Sequence, residues 1–208
     1  MKEIIFNNQS ITPSKIVCIG RNYLEHINEL NNEIPDDMVI FLKPNSAIGE
    51  QLLAVQGEKE QAEEVHFETE ICFLYAKQRF SAVAVGLDLT KRALQSRLKN
   101  QGLPWERAKA FNGAALFSEF VAIDQVSDQL KVRLSVDGTL TQAGEIQQMI
   151  YSPAAILQEL ATFIDLEDGD IVMTGTPAGV GPVQAGSDYV CEVYQGDKLL
   201  VNKTWHAQ

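Results

Sequence analysis

Two glutamates separated by one residue are the first feature of this sequence that could do chemistry. Glu68 and Glu70 lie in the segment HFETEICFLY, whose apolar residues are typical of a β-strand. Side chains two positions apart on a strand point to the same face, and two carboxylates that face an apolar core need a compensating cation. The alternative is a solvated strand face with Thr69 turned inward, and these residues alone do not decide between the two.

Asp88 supplies a third carboxylate, directly after the apolar segment SAVAVGL. An aspartate at this place could instead cap a helix that begins near Thr90. Three carboxylates on strands match the oxygen ligands of Mg²⁺ or Mn²⁺ and leave about three positions of an octahedron for water and substrate. Zinc fits less well, because no Cys/His cluster accompanies them. Glu68, Glu70 and Asp88 are therefore a candidate site for a divalent metal, while the spacing alone leaves the solvated strand face open.

A histidine and a glutamate form a second candidate group. His26 and Glu29 are three residues apart in YLEHINEL, which predicts a short helix with both side chains on one side. Glu29 could then orient the imidazole and raise its basicity, as a general base requires. A surface ion pair on a solvated helix is the alternative, and the local pattern by itself favours it.

A glycine-rich segment, TGTPAGVG at 174–181, follows the apolar run DIVM. Its backbone N–H groups and the Thr176 hydroxyl could bind an anion. The segment lacks the order G-x-x-x-x-G-K-[ST] of a nucleotide P-loop, so an ordinary glycine turn is the default interpretation.

The elements that must position these residues are mostly short strands. Strands are predicted at SKIVCIG, MVIFLKP, HFETEICFLY, SAVAVGLDL, FVAID, KVRLSVDG, DIVMTGTP and YVCEVYQGDKLLVN, and helices at YLEHINEL, LTKRALQSRLKN and SPAAILQELATFI. Ser152 is the expected cap of the last helix, and Asp137-Gly138 and Gly196-Asp197 are expected tight turns. Since the strands come in groups rather than in strict βαβ alternation, we expect a β-rich α+β fold with a few peripheral helices.

Composition narrows the classes of partner. The 208 residues are 45% hydrophobic and contain no linker or repeat, so we expect one domain over 1–208. The net charge of -11 argues against nucleic acid or an anionic membrane as partner.

The cysteines and the absence of targeting segments predict the cellular location. The three cysteines stand in apolar runs, which is typical of buried reduced thiols, and no signal peptide or membrane span is evident. The cytoplasm is therefore the expected location.

Six segments carry a resemblance over most of the chain, from residue 16 to about residue 192. They are IGRNYLEHINEL, IFLKPNSAI, HFETEI, GLDLTKRALQ, KNQGLPWERAKAF and GDIVMTGTPAGVGPV. Each is modest alone, but in this order and spacing they resemble the fumarylacetoacetate hydrolase family, most closely its short acylpyruvase and oxaloacetate decarboxylase type. The resemblance implies a roll of mixed β-sheets that is usually a homodimer.

The resemblance also assigns roles by position. Residues that match the metal ligands are Glu68, Glu70 and Asp88, and those that match a water-activating pair on a mobile lid at about 21–34 are His26 and Glu29. Lys109 matches a lysine beside the metal, and Arg21, Arg92, Gln95 and Thr176 match substrate contacts. The family pattern has Asp where Ala93 stands and Ser where Ala110 stands, and the stretch 75–85 looks shorter than in related members.

The implied activity is that of a Mg²⁺- or Mn²⁺-dependent hydrolase that cleaves a carbon–carbon bond in acylpyruvate-type 2-oxo acids. Decarboxylation of oxaloacetate is a related activity, because it uses the same chelated 2-oxo acid. Isomerisation or decarboxylation of a 2-hydroxy-dienedioate is an alternative reaction. A non-catalytic protein that binds a metal or a small acid is an alternative of another class, since a fold does not fix an activity.

Overall fold

The computed structural model describes residues 1–30, 33–57 and 62–208. The strands in chain order are β1 Ile4–Phe6, β2 Gln9–Ile11, β3 Lys15–Gly20, β4 Val39–Pro44, β5 Val55–Gln56, β6 Glu63–Phe67, β7 Thr69–Ala76, β8 Arg79–Asp88, β9 Thr90–Lys91, β10 Ala115–Phe117, β11 Val121–Ala122, β12 Leu130–Val136, β13 Thr139–Glu145, β14 Ile171–Met173, β15 Gly181–Pro182, β16 Asp188–Gln195 and β17 Lys198–His206. The α-helices are α1 Leu24–Glu29, α2 Arg92–Asn100, α3 Glu106–Lys109 and α4 Pro153–Leu160.

A mixed sheet of seven strands forms the centre of the fold, in the order β10–β8–β7–β14–β3–β4 with β11 also paired to β8. Strands β14 and β3 run parallel, whereas the other pairs are antiparallel. Val17 and Ile19 of β3 pack into one buried cluster, while Ile16 and Cys18 pack into another. Both faces of the sheet are therefore covered, which explains why its strands read as continuous apolar runs.

A second sheet, β13–β12–β16–β17, packs its apolar face against the first. Side chains of β12 and β16, among them Val132 and Tyr189, share the same cluster as Phe73 of β7. The turn between β12 and β13 has φ of 49° at Asp137 and 80° at Gly138, the left-handed backbone that tight hairpins require. The hairpin predicted at Asp137-Gly138 is confirmed, as is the one between β16 and β17.

The segment HFETEICFLY differs from its prediction as a single strand. It forms β6 and β7, which belong to different sheets, since β6 pairs with β5, β9 and β15. The chain changes sheets at Glu68, whose carbonyl accepts a hydrogen bond of 2.9 Å from the Asp88 N–H. The next N–H, of Thr69, donates to the side chain of Gln142 at 2.9 Å. The backbone polar groups at the break are thus satisfied outside a regular ladder.

The helices lie at the periphery and follow their predictions with two differences. Ser152 caps α4 by accepting a hydrogen bond from the Ala155 N–H at 3.3 Å, as predicted. The second helix begins at Arg92 rather than at Thr90, because Thr90 pairs with His66 between β9 and β6. The short helix α3 was not predicted. A β-rich α+β fold of mixed sheets with few helices is confirmed.

The predicted lid at about 21–34 contains α1 and is described except for residues 31 and 32, which lie outside the described residues. The strands β7 and β8 are joined by only two residues, Lys77 and Gln78, which fits the short stretch noted at 75–85. Within the described ranges, no helix is long and apolar enough to cross a membrane.

Candidate metal centre and active site

Three carboxylates lie close together where β7 begins and β8 ends. Glu68 lies at the break before β7, Glu70 lies on β7, and Asp88 ends β8, which pairs antiparallel with β7. One oxygen from each residue lies within 4.8 Å of the others. The side chains are buried, with residue exposures of 6%, 2% and 1% in that order. The alternative of a solvated strand face is therefore wrong.

The charges of this carboxylate cluster favour a bound cation. Burial, followed by the charges of Asp88 and Glu68, raises the pKa of Glu70 well above its usual value. The N–H of Gly175 donates to Glu70 at 2.7 Å and offsets part of that effect. Asp88 Oδ1 is buried and accepts no hydrogen bond within the described residues. An oxygen-only donor set with mutual repulsion and an unsatisfied oxygen fits Mg²⁺ or Mn²⁺.

Lys109 closes the other side of the carboxylate cluster. Its ammonium donates to Glu68 Oε2 at 2.9 Å, to Asp88 Oδ2 at 2.9 Å and to Thr90 Oγ1 at 2.6 Å. Burial lowers the pKa of Lys109, but the Asp88 and Glu68 carboxylates outweigh burial and the net shift is upward. All three N–H groups are used, so Lys109 is a fixed positive charge here rather than a base.

A second buried lysine, which sequence reasoning missed, lies beside the same aspartate. Lys43 of β4 is fully buried, and its ammonium is 2.8 Å from Asp88 Oδ1 without hydrogen-bond geometry. It donates instead to the backbone carbonyl of Lys109. The available signal was a lysine in the apolar run MVIFLKP, because a lysine in a buried strand needs a partner.

The first turn of α2 contributes Arg92 and Gln95. Arg92 forms an ion pair with Glu68 and also donates to Gln95 Oε1 at 2.8 Å. Burial raises the pKa of Glu68, but Lys109, Arg92 and His26 outweigh it and hold that pKa well below its usual value. Glu68 is therefore ionised even before a cation is added.

The hydroxyl of Thr176 is oriented by Gln142, a buried residue of β13 that sequence reasoning also missed. Gln142 accepts a hydrogen bond from the Thr69 N–H, so its amide nitrogen must face the other way, and it donates to Thr176 Oγ1 at 2.9 Å. With its oxygen accepting from Gln142, the Thr176 hydroxyl directs its proton to the Pro177 carbonyl at 3.4 Å, a long hydrogen bond that a ligand with a better acceptor can replace. No signal in the local sequence connects Gln142 with Thr176.

The lid contributes His26 to the candidate site. His26 is buried, whereas a histidine on a solvated helix would be exposed. His26 Nδ1 lies 3.2 Å from Glu29 Oε2, and Glu29 Oε1 accepts a hydrogen bond from the Gly179 N–H at 2.9 Å. Asn22 anchors the start of the lid through hydrogen bonds of its amide group to Tyr151 and Thr174. The alternative of a surface ion pair is therefore wrong for His26, although Glu29 keeps partial exposure.

One small cavity of about 40 Å³ joins these groups. The predicted residues that line it are Arg21, His26, Glu68, Glu70, Asp88, Arg92, Gln95, Lys109 and Thr176. Glu29 lies behind His26, and neither Ala93 nor Ala110 is part of the lining. Lys99 and Trp105 also line the cavity and were not predicted as site residues. The roles of all these residues remain predictions, but their juxtaposition is a property of the fold.

Comparison with known proteins identifies the family. The family model described as fumarylacetoacetate (FAA) hydrolase C-terminal matches residues 15–203. This chain belongs to the fumarylacetoacetate hydrolase family. A mitochondrial oxaloacetate decarboxylase of Dictyostelium discoideum is 36% identical over 198 residues, which cover 88% of this chain and 89% of the relative. An oxaloacetate tautomerase of Escherichia coli is 34% identical over 202 residues, covering 89% of this chain and 90% of the relative.

A solved structure of another enzyme shares the fold. The fumarylpyruvate hydrolase of Pseudomonas aeruginosa, solved in complex with Mn²⁺ and pyruvate, superposes with a TM-score of 0.86 at 28% identity. The match covers 99% of this chain and 95% of that protein. The related proteins that these names describe are enzymes.

Proposed function

We propose that this member of the family is a Mg²⁺- or Mn²⁺-dependent enzyme that acts on oxaloacetate or a closely similar small 2-oxo acid. The observation that carries the proposal is the meeting of three buried carboxylates with His26, Arg92 and Thr176 around one cavity. The names of the two relatives, oxaloacetate decarboxylase and oxaloacetate tautomerase, support the choice of acid.

Glu68, Glu70 and Asp88 would hold the metal ion. Bound there, Mg²⁺ or Mn²⁺ would act as a Lewis acid toward the oxygens of a 2-oxo acid. Lys109 and Lys43 partly neutralise the three carboxylates and fix where Asp88 points. Manganese in the Pseudomonas relative supports this class of ion.

Arg92, Gln95 and Thr176 would bind and orient the acid. Thr176 would turn its hydroxyl proton from the long 3.4 Å contact with the Pro177 carbonyl to the acid, and Arg92 offers N–H groups to a carboxylate. Arg21 lies on the same cavity and would contribute a further positive charge. These contacts hold the substrate in place while a proton is moved.

His26 would move that proton. If Nδ1 donates to Glu29, Nε2 is the basic nitrogen, and Glu29 stabilises the imidazolium that forms. Tautomerisation requires a proton to leave C3 of oxaloacetate and another to reach the keto oxygen. Decarboxylation instead breaks the C3–C4 bond and sends its electron pair toward the keto group, so it requires no base at the start.

Hydrolysis of an acylpyruvate is the second candidate, and the His26 and Glu29 pair favours it. His26 would deprotonate a water that attacks the distal carbonyl, and the carbon–carbon bond would break to give pyruvate and a carboxylic acid. The fumarylpyruvate hydrolase relative supports this reaction class. Conversion of a 2-hydroxy-dienedioate stays a prediction of the sequence. Location in the cytoplasm and a homodimeric state also stay predictions, the first resting on the buried free cysteines Cys18, Cys72 and Cys191.

One substrate panel tests the proposal. Purified protein with Mg²⁺ or Mn²⁺ is assayed for enol–keto exchange of oxaloacetate by ultraviolet absorbance, for pyruvate release, and for loss of acetylpyruvate. We expect turnover of oxaloacetate that Glu68→Ala abolishes, and His26→Ala should slow tautomerisation and hydrolysis more than decarboxylation. A protein that turns over none of these acids with either metal would revive the non-catalytic alternative.

A further inference from the structure

Lys99 is a cation of the cavity that the proposed chemistry does not use. It lies at the end of α2, and its ammonium is 4.7 Å from the centre of the Trp105 ring. Both residues line the cavity together with the metal-binding carboxylates. Lys99 is half-buried whereas Lys109 is buried, which places Lys99 on the solvent side of the cavity.

The face of α2 that carries Lys99 is the face that carries the predicted substrate contacts. Arg92, Gln95 and Lys99 are spaced by three and four residues, which puts them in one row along a helix. The row starts at Glu68, to which Arg92 is bound, and ends at Lys99. Gln95 and Lys99 are one helical turn apart, about 6 Å along the helix axis.

The positive charge of Lys99 is not needed to balance the carboxylate cluster. Glu68, Glu70 and Asp88 are already matched in number by Lys43, Lys109 and Arg92. Among the residues that the structure describes, no carboxylate forms an ion pair with Lys99, although the chain carries a net charge of -11.

Lys99 lies near other positively charged side chains, and their mutual repulsion makes its charged form less favourable. Burial, and then the charges of Arg21, Arg92 and Lys109, lower the pKa of Lys99 to about 8. An anion that binds in the cavity would offset the repulsion between these positively charged side chains. A divalent cation bound to the carboxylates would make the net charge of the cavity more positive. The cavity therefore suits an acid with more than one negative charge.

We propose that Lys99, held against Trp105, is a specificity-determining residue that binds the second carboxylate of a dicarboxylic 2-oxo acid. The inference rests on the proposed function, which places the first carboxylate and the keto group at the metal end of the cavity. An acid whose distal end is uncharged, such as acetylpyruvate, makes no charged contact with Lys99. Lys99 therefore separates the two candidate substrates, which the carboxylate cluster treats alike.

The kinetic test uses Lys99→Met in the full chain. Arg97→Met is the matched control. Arg97 is exposed on the same helix, and its substitution removes one positive charge at a position that does not line the cavity. We expect Lys99→Met to lower kcat/KM for oxaloacetate roughly 10- to 100-fold, the effect of losing a charged hydrogen bond, chiefly through KM. For acetylpyruvate the change should stay within about 2-fold, and Lys99→Arg should restore most of the oxaloacetate value. An equal loss for both substrates would show that Lys99 acts only through packing and overturns the inference.

A binding measurement keeps this inference separate from the proposed reaction. Calorimetry with Mg²⁺ compares 2-oxoglutarate with 2-oxopentanoate, which has the same length but a methyl group in place of the second carboxylate. We expect the wild-type protein to prefer the dicarboxylate at least about 10-fold and Lys99→Met to lose that preference. A wild-type protein that turns over no substrate but shows this preference would sink the proposed function and keep the assignment of Lys99. A wild-type protein with no preference for the dicarboxylate overturns the assignment even if oxaloacetate is turned over.

Discussion

The carboxylate of Glu29 accepts a hydrogen bond of 2.9 Å from the backbone N–H of Gly179, which ties the lid helix to the glycine-rich loop. The other oxygen of the same carboxylate faces His26. Gly179 has φ of 101°, and a Cβ on it would lie 2.1 Å from the Thr141 carbonyl oxygen. Only glycine fits this place, so the loop offers its N–H to the lid at a fixed position.

Glu29→Ala should reduce catalysis by freeing the imidazole of His26. Because Glu29 orients His26 and does not itself take the substrate proton, we expect kcat for tautomerisation to fall at least about 10-fold, less than the roughly 100- to 10,000-fold typical of losing a general base. Glu25→Ala, an exposed change on the same helix, is the control and should leave kcat unchanged. If Glu29→Ala matches wild type in steady-state kinetics, Glu29 has no part in positioning His26.

Lys43→Met should weaken the metal-free fold more than the metal-bound one. Removing Lys43 from this buried ion pair leaves Asp88 Oδ1 without its partner and Lys109 as the remaining cation on Asp88, which costs about 3 kcal/mol of unfolding free energy. Mg²⁺ supplies positive charge at the same carboxylate, so part of this loss should disappear when the ion is added. Denaturant unfolding with and without Mg²⁺ measures both values.

The matched control for Lys43 is Lys131→Met. Lys131 pairs with Glu145 at 3.4 Å and its side chain is partly open to solvent while that of Glu145 is exposed, so loss of Lys131 should cost no more than about 1 kcal/mol. Equal losses for the two variants, or a loss at Lys43 that Mg²⁺ leaves unchanged, would contradict the charge-compensation argument.

Glu70→Gln should stabilise the protein without metal and abolish its response to metal. The substitution replaces a buried carboxyl group, whose ionised form is disfavoured by burial and repelled by Asp88 and Glu68, with a neutral amide, and the amide oxygen can still accept from the Gly175 N–H. A gain of about 1 kcal/mol corresponds to roughly 2–4 °C in Tm for a chain of this size. Wild-type protein should instead gain about 2.7 kcal/mol from Mg²⁺ at 100 times its Kd.

Differential scanning calorimetry with and without Mg²⁺ checks both halves of the Glu70 prediction. Glu64→Gln is the control, since Glu64 is an exposed carboxylate on β6 and its loss should leave the response to Mg²⁺ intact. A Glu70→Gln protein that still gains the wild-type increment from Mg²⁺ would remove Glu70 from the metal site.

The sequence predicted the parts of the site that are close together in the chain. Glu68 and Glu70 share a short segment, and His26 and Glu29 share one helix, so local periodicity sufficed to place each pair on one side. Even there, the change of sheets at Glu68 was missed, because a strand break with satisfied backbone groups leaves no turn residue behind.

The rest of the site depends on the order of strands in the sheets, which periodicity does not contain. Lys43 reaches Asp88 only because β4 and α3 meet beside the end of β8. Gln142 reaches Thr176 because β13 lies against the glycine-rich loop. The sequence predicted a helix at LTKRALQSRLKN without singling out Lys99, because only the packing of Lys99 against Trp105 shows that it lines the cavity.

The pH dependence of oxaloacetate binding should depend on Lys99. The pKa of this ammonium is lowered to about 8 by burial and by Arg21, Arg92 and Lys109, while Glu68 acts in the opposite direction. As the pH rises through about 8, Lys99 loses its proton and no longer attracts a carboxylate, so kcat/KM for oxaloacetate should fall. An arginine stays charged over this range, so Lys99→Arg should remove the fall. Acetylpyruvate, which has no second carboxylate, should show no matching decrease in the wild-type protein. If Lys99→Arg keeps the same decrease for oxaloacetate, the group that titrates lies elsewhere in the cavity and Lys99 does not control the binding of the second carboxylate.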